Sequence, residues 1–207
     1  MTVETFTATL PGGIELSCRA AGPIGAPLLV FLHGFPEAAF VWDGLLEHFA
    51  PSYRCVAPNL RGFERSSSPA DARSYRAKHL VGDIRALIEQ QGGRAAALIA
   101  HDWGGALAWG LAAQHPESIE RLVIINSPHP ATFLRELRDN AQQQASSAYM
   151  NFLCRPDREK LLAEATGLAE KAKAMKAMEG TPREHEEFRL DLERQKEVQL
   201  AGISASK

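Results

Sequence analysis

The stretch "LIAHDWGGALAWGLAAQHP", residues 98–116, decides the fold. Leu98, Ile99 and Ala100 close an apolar run. His101 and Asp102 follow, then the pair Gly104-Gly105, then small and apolar residues up to Pro116. This predicts a buried strand, a sharp turn at Asp102, and a helix from Gly105 to His115 that Pro116 ends. A strand that closes on small-x-acid-x-small, here Ala100-His101-Asp102-Trp103-Gly104, and then opens a helix forces its central side chain outward. The small residues are required because backbone passes close to backbone. The first N–H groups of the helix point back at the turn and favour an anion there.

A carboxylate at such a turn has its own chemistry. A hydroxyl nucleophile needs a base to deprotonate it. A carboxyl with an ordinary pKa of ~3.9 is already an anion at neutral pH. It can attack an alkyl carbon directly, which suits an epoxide or a carbon–halogen bond and leaves an ester on the protein. The plainer reading of Asp102 is a helix N-cap. A second motif weighs against that reading. His33-Gly34-Phe35-Pro36-Glu37 follows the apolar run "PLLVFL", 27–32. A loop there can aim a backbone N–H at the same place, and the N–H of Trp103 offers another. Two such donors can hold an oxygen that gains charge when an ester is cleaved.

Outward from these motifs, the chain alternates strands and helices. Residues 4–10 and 14–20 read as a hairpin around Pro11-Gly12-Gly13 at a sheet edge. "PLLVFLHG", 27–34, reads as a strand buried on both faces. Residues 39–49 have helical spacing, 53–60 form a strand, and 78–91 form an amphipathic helix with Leu80, Ile84, Leu87 and Ile88 on one face. Residues 95–100 and 121–126 are further strands. The expectation is an α/β fold, a mostly parallel sheet with helices on both faces. After Asn126 the pattern turns helical and polar. The expected division is a core over 1–126, a helical cap-like segment over 127–165, and a charged helical or disordered tail over 166–207.

Length and composition fit a globular protein with a sizeable core: 207 residues, 45% hydrophobic, net charge -2. The charge gives no reason to expect nucleic acid or an anionic membrane as partner. The start "MTVETFTATLPGG" lacks the basic and apolar regions of a signal peptide. No run reaches the ~20 apolar residues of a membrane span. Cys18, Cys55 and Cys154 are few and far apart, as expected of reduced thiols in a cytoplasmic protein. No cluster has metal-ligand spacing, so neither metal nor cofactor is expected.

Taken together, "HGFPE" at 33–37, Arg61-Gly62-Phe63 within "APNLRGFERSSSP", "HDWGG" at 101–105 and "NSPHPATFLRE" at 126–136 resemble the α/β-hydrolase superfamily, epoxide hydrolase branch, over about residues 5–164. The resemblance implies roles residue by residue. Asp102 matches the nucleophile. Phe35 and Trp103 match the positions whose backbone N–H groups form the oxyanion hole. Pro36 matches a proline preceded by a cis peptide bond. Tyr149, within "YMNFLCRP", matches a cap tyrosine that hydrogen-bonds the epoxide oxygen. His33, Gly34, His101 and Gly104 are motif residues of structural use, and Glu37 organises the loop. Haloalkane dehalogenases tend to carry a polar residue where this chain has Phe35. Haloacetate dehalogenases favour arginine where it has Trp103. Both are the alternatives to an epoxide hydrolase.

The family's late acid and histidine, on loops after later core strands, have no counterpart in the pattern. His48, His79, His115 and His129 lie in the wrong region, Asn126 offers no acid, and His185 follows no strand. The expected fold is therefore incomplete at its C-terminal side. Hydrolysis of the ester by this chain is expected to be impaired. Three readings follow: an inactive truncated hydrolase, an enzyme completed by pairing with another chain as a homo-oligomer, or a non-catalytic protein that binds a small apolar molecule.

Overall fold

The computed structural model describes residues 2–157 and 160–161. The chain divides into two compact units, Met1–Leu134 and Arg135–Lys207. The first unit holds a six-stranded sheet. Its strands are β1 (Glu4–Leu10), β2 (Ile14–Ala21), β3 (Leu28–Leu32), β4 (Arg54–Pro58), β5 (Ala95–His101) and β6 (Leu122–Ile125), in the order β1-β2-β4-β3-β5-β6. β1 and β2 form the expected hairpin at one edge, and β2 meets β4 antiparallel. β4, β3, β5 and β6 run parallel.

Side-chain alternation explains the layers. Successive residues of a strand point to opposite faces. Val30 and Leu32 of β3 pack with Ile84 and Leu87 of α2 (Ala77–Gln90) and Leu111 of α3 (Asp102–Gln114). Leu29 and Phe31 face the other way, onto Trp42 and Leu46, the latter in α1 (Asp43–Phe49). All five residues of β3 are buried, as its unbroken apolar run predicts. Val81 joins the apolar face of α2 beside Ile84, Leu87 and Ile88, while Leu80 packs at its margin.

Three sequence expectations shift. The 39–49 segment is not one helix: a 3-10 turn, Ala39–Trp42, leads into α1. β4 stops at Pro58: Asn59 N–H still donates to Ser17 O of β2, but Leu60 N–H leaves the sheet for His33 Nε2. α3 begins at Asp102 rather than Gly105. Gly104 and Gly105 sit inside its first turns, where they admit neighbouring backbone and side chains. A methyl group on Gly104 would stand 2.7 Å from the His33 carbonyl oxygen, and one on Gly105 would stand 2.4 Å from Ser127 Cβ.

The connections position the site. From β3 the chain passes through α1 on one face to β4. From β5 it passes through α3 on the other face to β6. β4 and β5 flank β3 on opposite sides, so the segments leaving β3 and β5 diverge. In an open α/β sheet that divergence makes a crevice beyond the carboxyl ends of the strands. The motifs at 33–37 and 101–104 both lie there.

α4 (Pro130–Asp139) leads into the second unit, which contains α5 (Ala141–Ser146) and α6 (Ala148–Leu153). Asn140 caps α5 by accepting N–H bonds from Gln142 and Gln143. The charged tail over 166–207, with His185, lies outside the described residues, as does the end of the cap-like segment. Among the described residues no helix is long and apolar enough to cross a membrane.

Candidate active site

Asp102 has a left-handed backbone, φ 49°. That conformation is unfavourable for residues with a Cβ, and Asp tolerates it better than most. It turns the side chain away from its own helix. His101 occupies the N-cap position of α3, and the cap makes no side-chain hydrogen bond. The carboxylate instead reaches the loop after β3, where Asp102 Oδ1 accepts the backbone N–H of Phe35 at 3.0 Å. The N-cap reading of Asp102 is thus replaced by a bond between two loops. Trp103, in the first turn of α3, has no intrahelical acceptor for its N–H.

Gly34 is what lets the loops meet. A methyl group there would stand 2.6 Å from Asp102 Cβ and 2.9 Å from its Oδ1. The Phe35–Pro36 peptide bond is cis, and Glu37 N–H donates to Gly34 O at 3.1 Å. The Glu37–Gly34 bond closes the loop as a tight turn, and the N–H of Phe35 faces the aspartate. Phe35 and Trp103, which belong to the two segments that meet here, are exposed large hydrophobic residues.

His33 is fully buried and serves the scaffold. Its Nε2 accepts the N–H of Leu60 at 3.0 Å, and its Nδ1 donates to the Gly34 carbonyl at 2.9 Å. Burial pushes its pKa below the ordinary histidine value, and the Gly34 carbonyl only partly offsets this. The ring is thus a neutral clip between the loop after β3 and the loop after β4. His101 is half-buried, with Nδ1 3.3 Å from Glu37 Oε2.

The loop after β4 contributes more than its sequence suggested. The ring of Phe63 meets His33 edge-on at 4.7 Å between centroids and Phe35 at 6.5 Å. Asn59 accepts the N–H of Ala39 and donates to Ser17 Oγ. Arg61 makes a two-pronged pair with Asp83 of α2, at 2.7 and 2.9 Å, with both side chains nearly buried, and also donates to Ser74 O. The pattern "NLRGF" directly after a buried strand was the available signal for these roles. Tyr149 lies in the second unit, on α6, with half of its surface exposed. Among the described residues no group of three His, Cys, Asp or Glu side chains could hold a metal ion.

Comparison with known proteins identifies the fold family. A family model described as the alpha/beta hydrolase fold matches residues 27–152. Mouse epoxide hydrolase 4 is 43% identical over 141 residues, covering 68% of this chain and 39% of the relative. Epoxide hydrolase 1 of Caenorhabditis elegans is 39% identical, over 67% of this chain and 34% of the relative. Among solved structures, an epoxide hydrolase from hot-environment metagenomes superposes with a TM-score of 0.73 at 40% identity, covering 79% of this chain and 55% of that one. The Bacillus megaterium epoxide hydrolase, solved with an inhibitor, gives 0.71 at 35% identity, over 75% and 54%. The chain thus spans a third to two fifths of these curated relatives and about half of these structures. It belongs to the α/β-hydrolase fold family.

Proposed function

We propose that this chain is an epoxide-opening hydrolase with Asp102 as its nucleophile. The observation that carries the reading is the hydrogen bond from Phe35 N–H to Asp102 Oδ1. It fixes one carboxylate oxygen and leaves Oδ2, which accepts no hydrogen bond among the described residues, to react. Oδ2 forms a bond to an epoxide carbon, the ring C–O bond breaks, and its electron pair goes to the ring oxygen. That oxygen takes a proton from an acid, a role the family resemblance assigns to Tyr149 on the cap-like segment. Oδ1 becomes the carbonyl oxygen of the ester and keeps the N–H of Phe35. When water adds to the ester, charge gathers on Oδ1 and is met by Phe35 N–H and Trp103 N–H. The exposed rings of Phe35 and Trp103 favour an epoxide with an aryl or alkyl substituent.

Ester hydrolysis needs a base to activate water. Both ring nitrogens of His33 are engaged, and His101 turns toward Glu37. In this reading neither histidine serves as that base, so among the described residues hydrolysis is the slow half of the reaction and the ester accumulates. A dehalogenase has less support, because the side chain at position 35 offers no donor to a halide and the named relatives are epoxide hydrolases.

The test is the intact mass of the chain after incubation with styrene oxide, alongside Asp102→Ala. A lasting adduct on the wild type alone supports the reading. Diol formed without an adduct keeps the nucleophile and removes the slow hydrolysis. Neither adduct nor diol leaves a binder of apolar small molecules.

A further inference from the structure

The loop that carries Phe35 is held to the Asp102 turn at a second point. Glu37 closes that loop, and His101 is the last residue of β5, immediately before Asp102. Their side chains meet with Glu37 Oε2 3.3 Å from His101 Nδ1, both partly shielded from solvent. The pair therefore spans the same gap as the Phe35–Asp102 bond, one residue from the aspartate and two from the donor.

The two ties differ in one physical respect. The Phe35 N–H bond ends on a reacting group. While Asp102 is a carboxylate the bond is charge-assisted, and such bonds are roughly twice as strong as neutral ones. Once Asp102 is an ester, Oδ1 is a neutral carbonyl oxygen and the tie weakens. This is the stage at which the N–H must already stand in place for the charge that develops on Oδ1. The Glu37–His101 contact contains no reacting atom, so alkylation leaves it unchanged.

We propose that Glu37 and His101 are positioning residues whose contact keeps the Phe35 N–H on Asp102 Oδ1 when the aspartate is uncharged. The purpose of this strut rests on the Asp102 nucleophile reading. Its existence can be tested without any reaction.

Asp102→Asn imitates the ester stage, because it keeps a neutral carbonyl acceptor and removes the charge. The experiment is amide hydrogen exchange of Phe35, read residue by residue by NMR. The proteins are wild type, Glu37→Ala and Glu37→Gln, each also combined with Asp102→Asn. Glu117→Ala, which breaks a similar surface contact with His115 at 3.5 Å, is the control. In the Asp102→Asn background, Glu37→Ala should speed Phe35 exchange roughly tenfold or more, while β3 and β5 keep their protection. Glu37→Gln, whose amide oxygen can still face His101, should restore most of it, and Glu117→Ala should change nothing. Equal Phe35 exchange in Asp102→Asn with and without Glu37→Ala overturns the strut. So does a loss of protection that spreads equally through β3 and β5. Styrene oxide adducts are measured separately: a wild type that forms none removes the nucleophile reading and leaves the exchange result to decide the strut.

Discussion

Phe35 and Asp102 stand 67 residues apart in the chain and are joined by a 3.0 Å hydrogen bond from the backbone N–H of one to the Oδ1 of the other. The bond joins the ends of two neighbouring strands, β3 and β5, and fixes which carboxylate oxygen is free. It also explains why the aspartate occupies a left-handed turn that costs about 1 kcal/mol or more for most residues.

Asp102→Asn should keep the fold, because asparagine tolerates the left-handed region and its carbonyl still accepts from Phe35. It should form no epoxide adduct. Asp102→Ala should also form none, and should in addition lose roughly 1–3 kcal/mol of stability from the strained backbone and the orphaned Phe35 N–H. Mass spectrometry reads the first effect and urea unfolding the second. An adduct on Asp102→Asn would assign the nucleophile elsewhere.

Gly34→Ala tests the closeness of the two loops. Its methyl group would fall 2.6 Å from Asp102 Cβ, so one loop must move. Overpacking of this kind costs about 1–3 kcal/mol. The adduct should form more slowly by roughly tenfold or more, since small misplacements at a reacting centre are expensive. Single-turnover mass measurements check this, and an unchanged rate would show that the Phe35 N–H contributes little.

His33 should make stability pH-dependent. Its pKa is lowered in the folded chain by burial. Below the ordinary histidine value of about 6.5 the unfolded chain binds a proton that the folded chain resists, so stability falls with pH there and is fully present above it. Urea midpoints between about pH 8 and pH 5 should show this decline. In His33→Gln the curve should start lower and run flatter.

Arg61 and Asp83 tie the loop that carries Phe63 to α2. Both side chains are only 8% exposed. Asp83→Ala leaves a buried guanidinium unpaired and should cost about 3–5 kcal/mol. Replacing both partners with leucine should cost much less, because no charge is stranded. Urea unfolding of the single and double variants measures the difference, and equal losses would refute the account.

Much of the fold was legible in the sequence because its signals are local. The apolar run 28–32, the glycines of the hairpin and the helical spacing in 77–90 each report burial or backbone geometry within a few residues. The turn at Asp102 was legible for the same reason. The start of α3 is not legible, because paired glycines normally mark a break, and here Gly104 and Gly105 serve close packing instead. The role of Phe63 was not legible, since its partners His33 and Phe35 lie on another strand end.

The sequence by itself therefore determined the order of strands and helices, though not all of their ends, and the presence of a carboxylate at a strand-to-helix turn, because periodicity and turn chemistry are properties of neighbouring residues. Only the tertiary structure decided that Asp102 accepts from Phe35 rather than capping its own helix, that His33 is a buried clip, and that Glu37 faces His101. Those facts depend on strand order. β3 and β5 lie side by side with their following helices on opposite faces, and that arrangement is set by packing over the whole sheet.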